Sequence, residues 1–374
     1  MSTNTSVSAV TSVTAVSAPP EISMMAVHRI VKGYFKHEPW IYWCDFLGSF
    51  FLGLTAYMLV PFLSLFSWQQ VAAYLVSVFA FYRSALFIHE IVHFRDKTML
   101  SFRIVWNLLF GLPFLMPTFT YKTHLDHHVR KHFATHDDGE YLPLAVQHPL
   151  HLLFYFCHPL FMPILTMLRF LVFAPLSWIS SAVSRVVHAR ASSMVIDLSY
   201  VRSQPSQREL RIIRLQEVGC TVICWGVMLW LLFVNRYPLT YWTLVQVYAT
   251  AVGVLFLNHF RTLGAHRFTN LERREMTFTE QLLDSVNYPN SMWLGELAMP
   301  VGLRYHALHH LCPGIPYHNL GKAHRKLMAE LPADSIYRRT ISRSLFLTVM
   351  EVFRGAWQHR NRKQVSRAEV EATV

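Results

Sequence analysis

Charge is scarce in this 374-residue chain: Asp, Glu, Lys and Arg together make up 15%, against 53% apolar residues. That ratio excludes an ordinary soluble domain and points to an integral membrane protein. Cysteine is scarcer still. The five (Cys44, Cys157, Cys220, Cys224, Cys312) form no CxxC pair, which argues against a disulfide framework or an iron–sulfur cluster, and they read as buried, reduced thiols. There is no His-Pro-Gly-Gly haem motif and no G-x-G-x-x-G nucleotide loop, so any electrons must come from another protein. Residues 1–20 lack the basic and apolar regions of a signal peptide, and residues 1–24 are expected to form a disordered polar tail. Acidic residues are outnumbered, 22 to 34, for a net charge of +12. In a soluble protein that excess would suggest nucleic acid. In a chain with apolar spans it fits the crowding of Lys and Arg on the cytoplasmic side, and no nucleic-acid partner is expected.

Long apolar runs are what the chain does have. Phe46 to Phe66 supplies about twenty residues, enough to cross a hydrocarbon core of about 30 Å. The link Ser67–Gln70 is short enough to force an antiparallel hairpin with a second span from Val71 to about Ile88. A second hairpin runs from Val218 to Val234 and from Leu239 to Leu257, joined at Asn235–Pro238. Ile104 to Phe119 carries Gly111, Pro113 and Pro117 and is expected to be re-entrant or interfacial. Residues 149–183, interrupted by Pro159, Pro163 and Pro175, are expected to lie in the interface or form a broken hairpin. Arg185 to Glu217 reads as extramembrane. The expected fold is an all-α integral membrane protein of two transmembrane hairpins, four spans, with a cytosolic helical cap. Residues 25–354 form one domain and 355–374 a charged C-terminal tail.

Histidine is abundant, at 21 residues, and three clusters stand out: His89-Glu-Ile-Val-His93, His124-Leu-Asp-His127-His128 and His306-Ala-Leu-His309-His310. Spacing of three or four places imidazoles on one helix face, a metal-ligand arrangement. The first cluster alone is the H-E-x-x-H of zinc metalloproteases, but that reading leaves six clustered histidines without a purpose. Eight imidazoles suffice for two metal ions with open positions, and imidazole suits zinc, copper, iron and nickel alike. A redox pair beside apolar helices points to oxidation of a lipid chain, a zinc pair to hydrolysis. A transporter with structural histidines is a further possibility.

These three clusters, their order and the two hairpins between them resemble the histidine boxes of membrane fatty-acid desaturases and related alkane and lipid hydroxylases, over roughly residues 40–330. Thr135–Tyr141 and Pro316–Gly321 are similar to bacterial sequences of this kind. The resemblance implies a non-haem centre of two iron ions with O2 as co-substrate. It also implies a fatty-acyl substrate, an external donor such as a ferredoxin, four spans, and boxes on the cytosolic face of what is expected to be a bacterial inner membrane. It implies one further ligand near the end of the last span, for which His266 is preferred over His259, and Asn258 is a candidate to hold a metal-bound water. Loss of a second hydrogen would give an alkene, rebound of a hydroxyl an alcohol, and loss of the carboxyl group a terminal alkene. Desaturation is the first expectation and hydroxylation or decarboxylation the alternative.

Glu90, Asp126, Asp138 and Glu140 are cast as carboxylates that orient ligating imidazoles, Asp138 foremost. His132, His136 and His318 are weaker candidates for a place near the metals. His28, His37, His148, His151, His158, His188, His324 and His359 read as surface or interface residues. Arg95, Lys97, Arg103, Lys122, Arg130 and Lys131 suit either an anionic head group or the membrane surface. Phe79, Phe81, Tyr82 and Phe87 suit either an acyl tunnel or packing.

Overall fold

The computed structural model describes residues 22–95, 97–233, 239–290 and 292–371. The expected N-terminal tail up to residue 21 and the link 235–238 lie outside them. Every named element is helical, and among the described residues extended chain pairs only at isolated bridges, so the fold is all-α.

After α1 (Met24–Val31), the helices α2 (Pro39–Leu59) and α3 (Trp68–His93) make the first hairpin. Pro39 stands in the first turn of α2, where a backbone N–H has no intrahelical partner. Ser67 caps α3 by accepting from the Gln70 N–H at 3.2 Å. The Gln70 amide donates back to the carbonyls of Val60 (3.2 Å) and Leu63 (3.4 Å), so the turn closes on itself. The helices cross tightly at Gly53, where a Cβ would come 2.8 Å from the Phe81 ring. Phe81, Tyr82 and Phe87 are buried in this packing.

The apolar helix from Leu100 to Gly111, α4 (Leu100–Trp106) and a π turn, is shorter than any span. Asn107 and Thr118 then clasp each other: the Asn107 amide donates to Thr118 Oγ1 at 2.8 Å and Asn107 Oδ1 accepts from the Thr118 N–H at 3.1 Å. The segment folds back at this clasp before α5 (His124–His127).

The third long apolar stretch is α6 (Leu150–Leu168) and α7 (Ala174–Ile179), joined by a π turn at Arg169–Phe173. Among the described residues five helices are long and apolar enough to cross a membrane: Pro39–Phe62, Trp68–His93, Leu150–Ile179, Gln207–Phe233 and Tyr241–Leu263. The contacts of the third separate length from direction. Near its start Tyr155 Oη donates to the His259 carbonyl (2.7 Å), in the last turns of α10 (Leu239–Leu263). Near its end Trp178 Nε1 donates to Glu217 (3.1 Å) and Arg214 to the Ser177 carbonyl (2.7 Å), both in the first half of α9 (Gln207–Phe233). Gln216 in α9 accepts from the Phe119 N–H (3.2 Å) close to the second histidine cluster, and α10 ends three residues before His266, so both sets of contacts lie at the histidine end and α6–α7 begins and finishes there. Pro159 and Pro163 lie inside α6, where each removes a helix hydrogen bond and favours a bend.

The rest of the cap comprises α8 (Ser181–Arg190), α11 (Phe278–Asp284), α12 (Met292–Ala298), α13 (His306–Leu311), α14 (Tyr317–Glu330) and α15 (Leu345–Glu371). The segment expected as a tail from 355 continues α15, which buries Val349, Val352 and Ala356 against Leu144, Ala145 and Phe268.

The extended residues Val286–Tyr288 tie the cap together. Their backbone bonds reach Ala265 (3.0 Å), Arg304 (2.7 Å), Ala307 (3.3 Å), Thr340 (2.8 Å) and Ser342 (2.9 Å). The fully buried Asn287 side chain donates to Thr340 Oγ1 and accepts from the Leu308 N–H. These bonds flank His266 and the third cluster on both sides. Asn287→Ala is expected to leave the Leu308 N–H unpaired at a cost of about 1–3 kcal/mol. Circular dichroism of the detergent-solubilised protein should show a lower melting temperature. An unchanged one would remove Asn287 from this role.

Candidate metal centre

Nine histidines gather into two groups whose ring nitrogens lie within 4.8 Å of one another in each: His89, His93, His124, His128 and His309, and His127, His266, His306 and His310. Helical spacing explains the division. Residues four apart share a helix face, so the pairs His89/His93, His124/His128 and His306/His310 each serve one group. Adjacent residues point about 100° apart, so each His-His dipeptide splits: His127 and His128 face different groups, as do His309 and His310. The second cluster thus gives two ligand candidates to the first group and one to the second, and the third cluster does the reverse. His266 takes the place in the second group that His89 and His93 fill in the first. The groups are adjacent, with the His128 and His310 rings stacked at 4.3 Å.

The nitrogen contacts are too many to be hydrogen bonds. In the first group His128 Nε2 lies 3.0 Å from His124 Nε2 and 3.1 Å from His309 Nε2, which is itself 3.1 Å from His93 Nε2. In the second, His266 Nε2 lies 3.2 Å from His127 Nε2 and 2.9 Å from His306 Nε2, which is 3.1 Å from His310 Nε2. An imidazole nitrogen has one in-plane site, holding either a proton or a lone pair, so it cannot satisfy two such neighbours. Both nitrogens of buried His89 lack any hydrogen-bond partner. A metal–imidazole bond of about 2.1 Å puts two ligands at right angles about 3.0 Å apart. The residues fit a metal ion in each group.

Carboxylates hold the outer nitrogens. His127 Nδ1 donates to Asp138 at 2.7 Å and His124 Nδ1 to both oxygens of Glu140 at 3.0 Å. His266 Nδ1 is 3.2 Å from Asp284, which also accepts from Tyr141 Oη at 3.1 Å. Such partners fix the tautomer and aim Nε2 inward. Asp138 is locked in turn by the backbone N–H groups of Ala134 and Glu140. Burial and neighbouring imidazoles push His128, His306, His309 and His310 well below the ordinary histidine range, which favours the neutral form that a metal ligand requires. At His127 burial pulls the same way, but the Asp138 carboxylate outweighs it and the value lies above the usual one.

Other candidates stand elsewhere. Glu90 accepts from Tyr42 Oη (2.6 Å) and the Tyr317 N–H (3.1 Å), tying α2, α3 and α14 rather than a ligand candidate. Asp126 lies 3.9 Å from His132, and neither His132, His136 nor His318 joins a group. His259 donates from Nδ1 to the Leu255 carbonyl (2.9 Å) and meets His158 through Nε2 (3.1 Å). Asn258 Oδ1 accepts from Arg261 at 2.8 Å. Of the cationic candidates, Lys122 pairs with Glu209. Sequence reasoning missed Asp284: it ends a separate helix 18 residues after His266, and nothing local marks it. The bridge between His266 and Ser285 brings it there.

The pattern of the fatty acid desaturase family matches residues 66–342, which include all nine histidines. The chain is also 37% identical over 327 residues to a ceramide hydroxylase of Caulobacter vibrioides (strain NA1000 / CB15N), covering 84% of this chain and 88% of that protein. No solved structure matches it.

Metal analysis of the purified protein by plasma mass spectrometry should show loss of metal in His266→Ala and retention in His259→Ala. The reverse pattern would exchange their roles. Asp138→Asn is expected to release metal to a chelator at about 10- to 100-fold lower chelator concentration. Equal retention would make Asp138 a purely structural carboxylate.

Proposed function

Because the chain belongs to the fatty acid desaturase family, whose members are lipid oxidoreductases, we propose that it is an O2-dependent hydroxylase of a ceramide-type lipid with two histidine-held iron ions. The observation that carries this reading is the pair of adjoining, all-nitrogen groups at the ends of apolar helices, in a chain so similar to a ceramide hydroxylase. His89, His93, His124, His128 and His309 would hold one ion, and His127, His266, His306 and His310 the other. Neither set reaches six ligands, which leaves positions for a small molecule.

Iron supplies the redox chemistry: a C–H bond and O2, with two electrons and two protons, become C–OH and water. The chain supplies the rest. Asp138, Glu140 and Asp284 keep the imidazoles aimed, and Phe133, against His127, His266 and His310, excludes water from one wall. Residues 25–354, with the continuation of α15 that buries Ala356 against them, act as one catalytic domain. With Lys and Arg gathered at the histidine end, that end faces the cytoplasm of a bacterial inner membrane. Exposed Arg130 and Lys131 directly follow the second cluster and suit an acidic ferredoxin-type donor. Desaturation of an acyl chain is the second reading, favoured by the family match: it needs the same oxidant and loss of a second hydrogen in place of oxygen transfer.

The test is the lipid profile, by liquid chromatography with mass spectrometry, of cells expressing the intact chain or His309→Ala under isotopically labelled O2. A ceramide one labelled oxygen heavier, made only by the intact chain, is expected. A lipid lighter by two hydrogens would select desaturation. Neither product from iron-loaded protein supplied with a donor would overturn both. Reduction by the donor should slow as salt is raised, and a salt-independent rate would discard the basic docking face.

A further inference from the structure

Arg261 is a cation inside an apolar helix. It lies in the last turn of α10, within the stretch Tyr241–Leu263, and is only 5% exposed. One Nη donates to Asn258 Oδ1, its Nε is buried without a partner, and no carboxylate among the described residues lies within ion-pair distance. A favourable interaction with the end of its own helix is too small to offset a buried, uncompensated charge. Ionisable groups in such places mark binding or transport paths.

Its surroundings indicate which. The guanidinium is near enough to act on His89 and His306, one histidine of each group, and it hydrogen-bonds with the hydroxyls of Tyr82 and Tyr121. Tyr82 stands seven residues before His89 on α3, about 10 Å nearer the middle of the membrane on the same face. Tyr121 stacks on His124 at 4.8 Å. Arg261 therefore sits between the hydrocarbon side of the hairpin and the two groups. Bound cations would not neutralise it, and Asp138, Glu140 and Asp284 are engaged with histidines. Its acceptors within the chain are neutral amide and hydroxyl oxygens, and the buried Nε edge, which has none, is the one open to an oxygen from outside the chain.

We propose that Arg261 docks the acyl oxygen of the substrate, an amide carbonyl or a carboxylate, so that oxidation falls within a few carbons of the head group rather than in mid-chain. This rests on the lipid-oxidising role proposed above. Arginine suits the task because its planar fork binds such oxygens in two directions and stays charged when buried.

The test compares the intact protein with Arg261→Met and Arg261→Lys, after metal content and circular dichroism confirm folding. Binding of a ceramide, a free fatty acid and an alkane of equal length is measured by native mass spectrometry in detergent. Arg261→Met should retain metal yet bind the ceramide or the fatty acid about tenfold or more weakly, with the alkane unaffected. Whichever probe loses affinity identifies the source of the oxygen. Equal binding of both by the intact and Met forms overturns the proposal. If Arg261→Met fails to fold, Arg261→Lys decides through the product: the intact protein should place its hydroxyl near the acyl carbonyl and the Lys form should scatter it. A mid-chain hydroxyl from the intact protein refutes the docking role while leaving hydroxylation standing. An absence of any lipid oxidation refutes the function proposed above, and binding alone then judges Arg261.

Discussion

Imidazole nitrogens facing one another at 2.9–3.2 Å in a buried space are the constraint on which the structure depends. Hydrogen bonds cannot satisfy them all, so the arrangement persists only because the surrounding chain over-determines it. Four separate stretches supply the rings. Each is fixed by something other than the rings: α3 by the Ser67 cap and the Gly53 crossing, the second cluster by Asp138 and Glu140, His266 by Asp284 and Ser285, and α13 by the extended segment at Asn287. Rigidity bought in this way favours metal binding, because few groups have to be ordered when an ion arrives.

The apolar helices carry this cap at the level of a membrane surface. Two sets of the charged groups they contain satisfy one another. Glu217 meets Arg169, Arg214 and Trp178, and Asp45 meets Arg83 and Tyr317. In a low-dielectric setting such clusters lock neighbouring helices at one relative depth, since a slide would leave charges unpaired. The Glu217 set anchors the far end of α6–α7 to α9 and so fixes a helix whose length alone would let it cross.

Much of this was legible in the sequence because it is local. Helical spacing within a few residues selected the eight clustered histidines, and all eight lie in the two groups. Run length and a short link defined the first hairpin. What failed to show was whatever depends on distant chain. The 30 residues of Leu150–Ile179 have the hydropathy of a span, and only contacts with α9 and α10 reveal that both ends lie together. Four carboxylates near the clusters were candidates to orient histidines, Asp138 foremost. Asp138 and Glu140 turn toward histidines, whereas Glu90, inside the first cluster itself, turns its back on them because its helix face meets Tyr42. Asp284 arrives through a bridge that no sequence spacing encodes.

The two His-His dipeptides have a consequence for how such chains diversify. Each ties a ring of one group to a ring of the other through a single peptide unit, so a backbone shift that improves one coordination sphere spoils its neighbour. The nine-histidine set is thereby closed to stepwise change. New chemistry on this scaffold has to arise in the walls, where Tyr82, Tyr121 and Arg261 stand, by altering which part of a lipid is presented to a centre that itself stays the same.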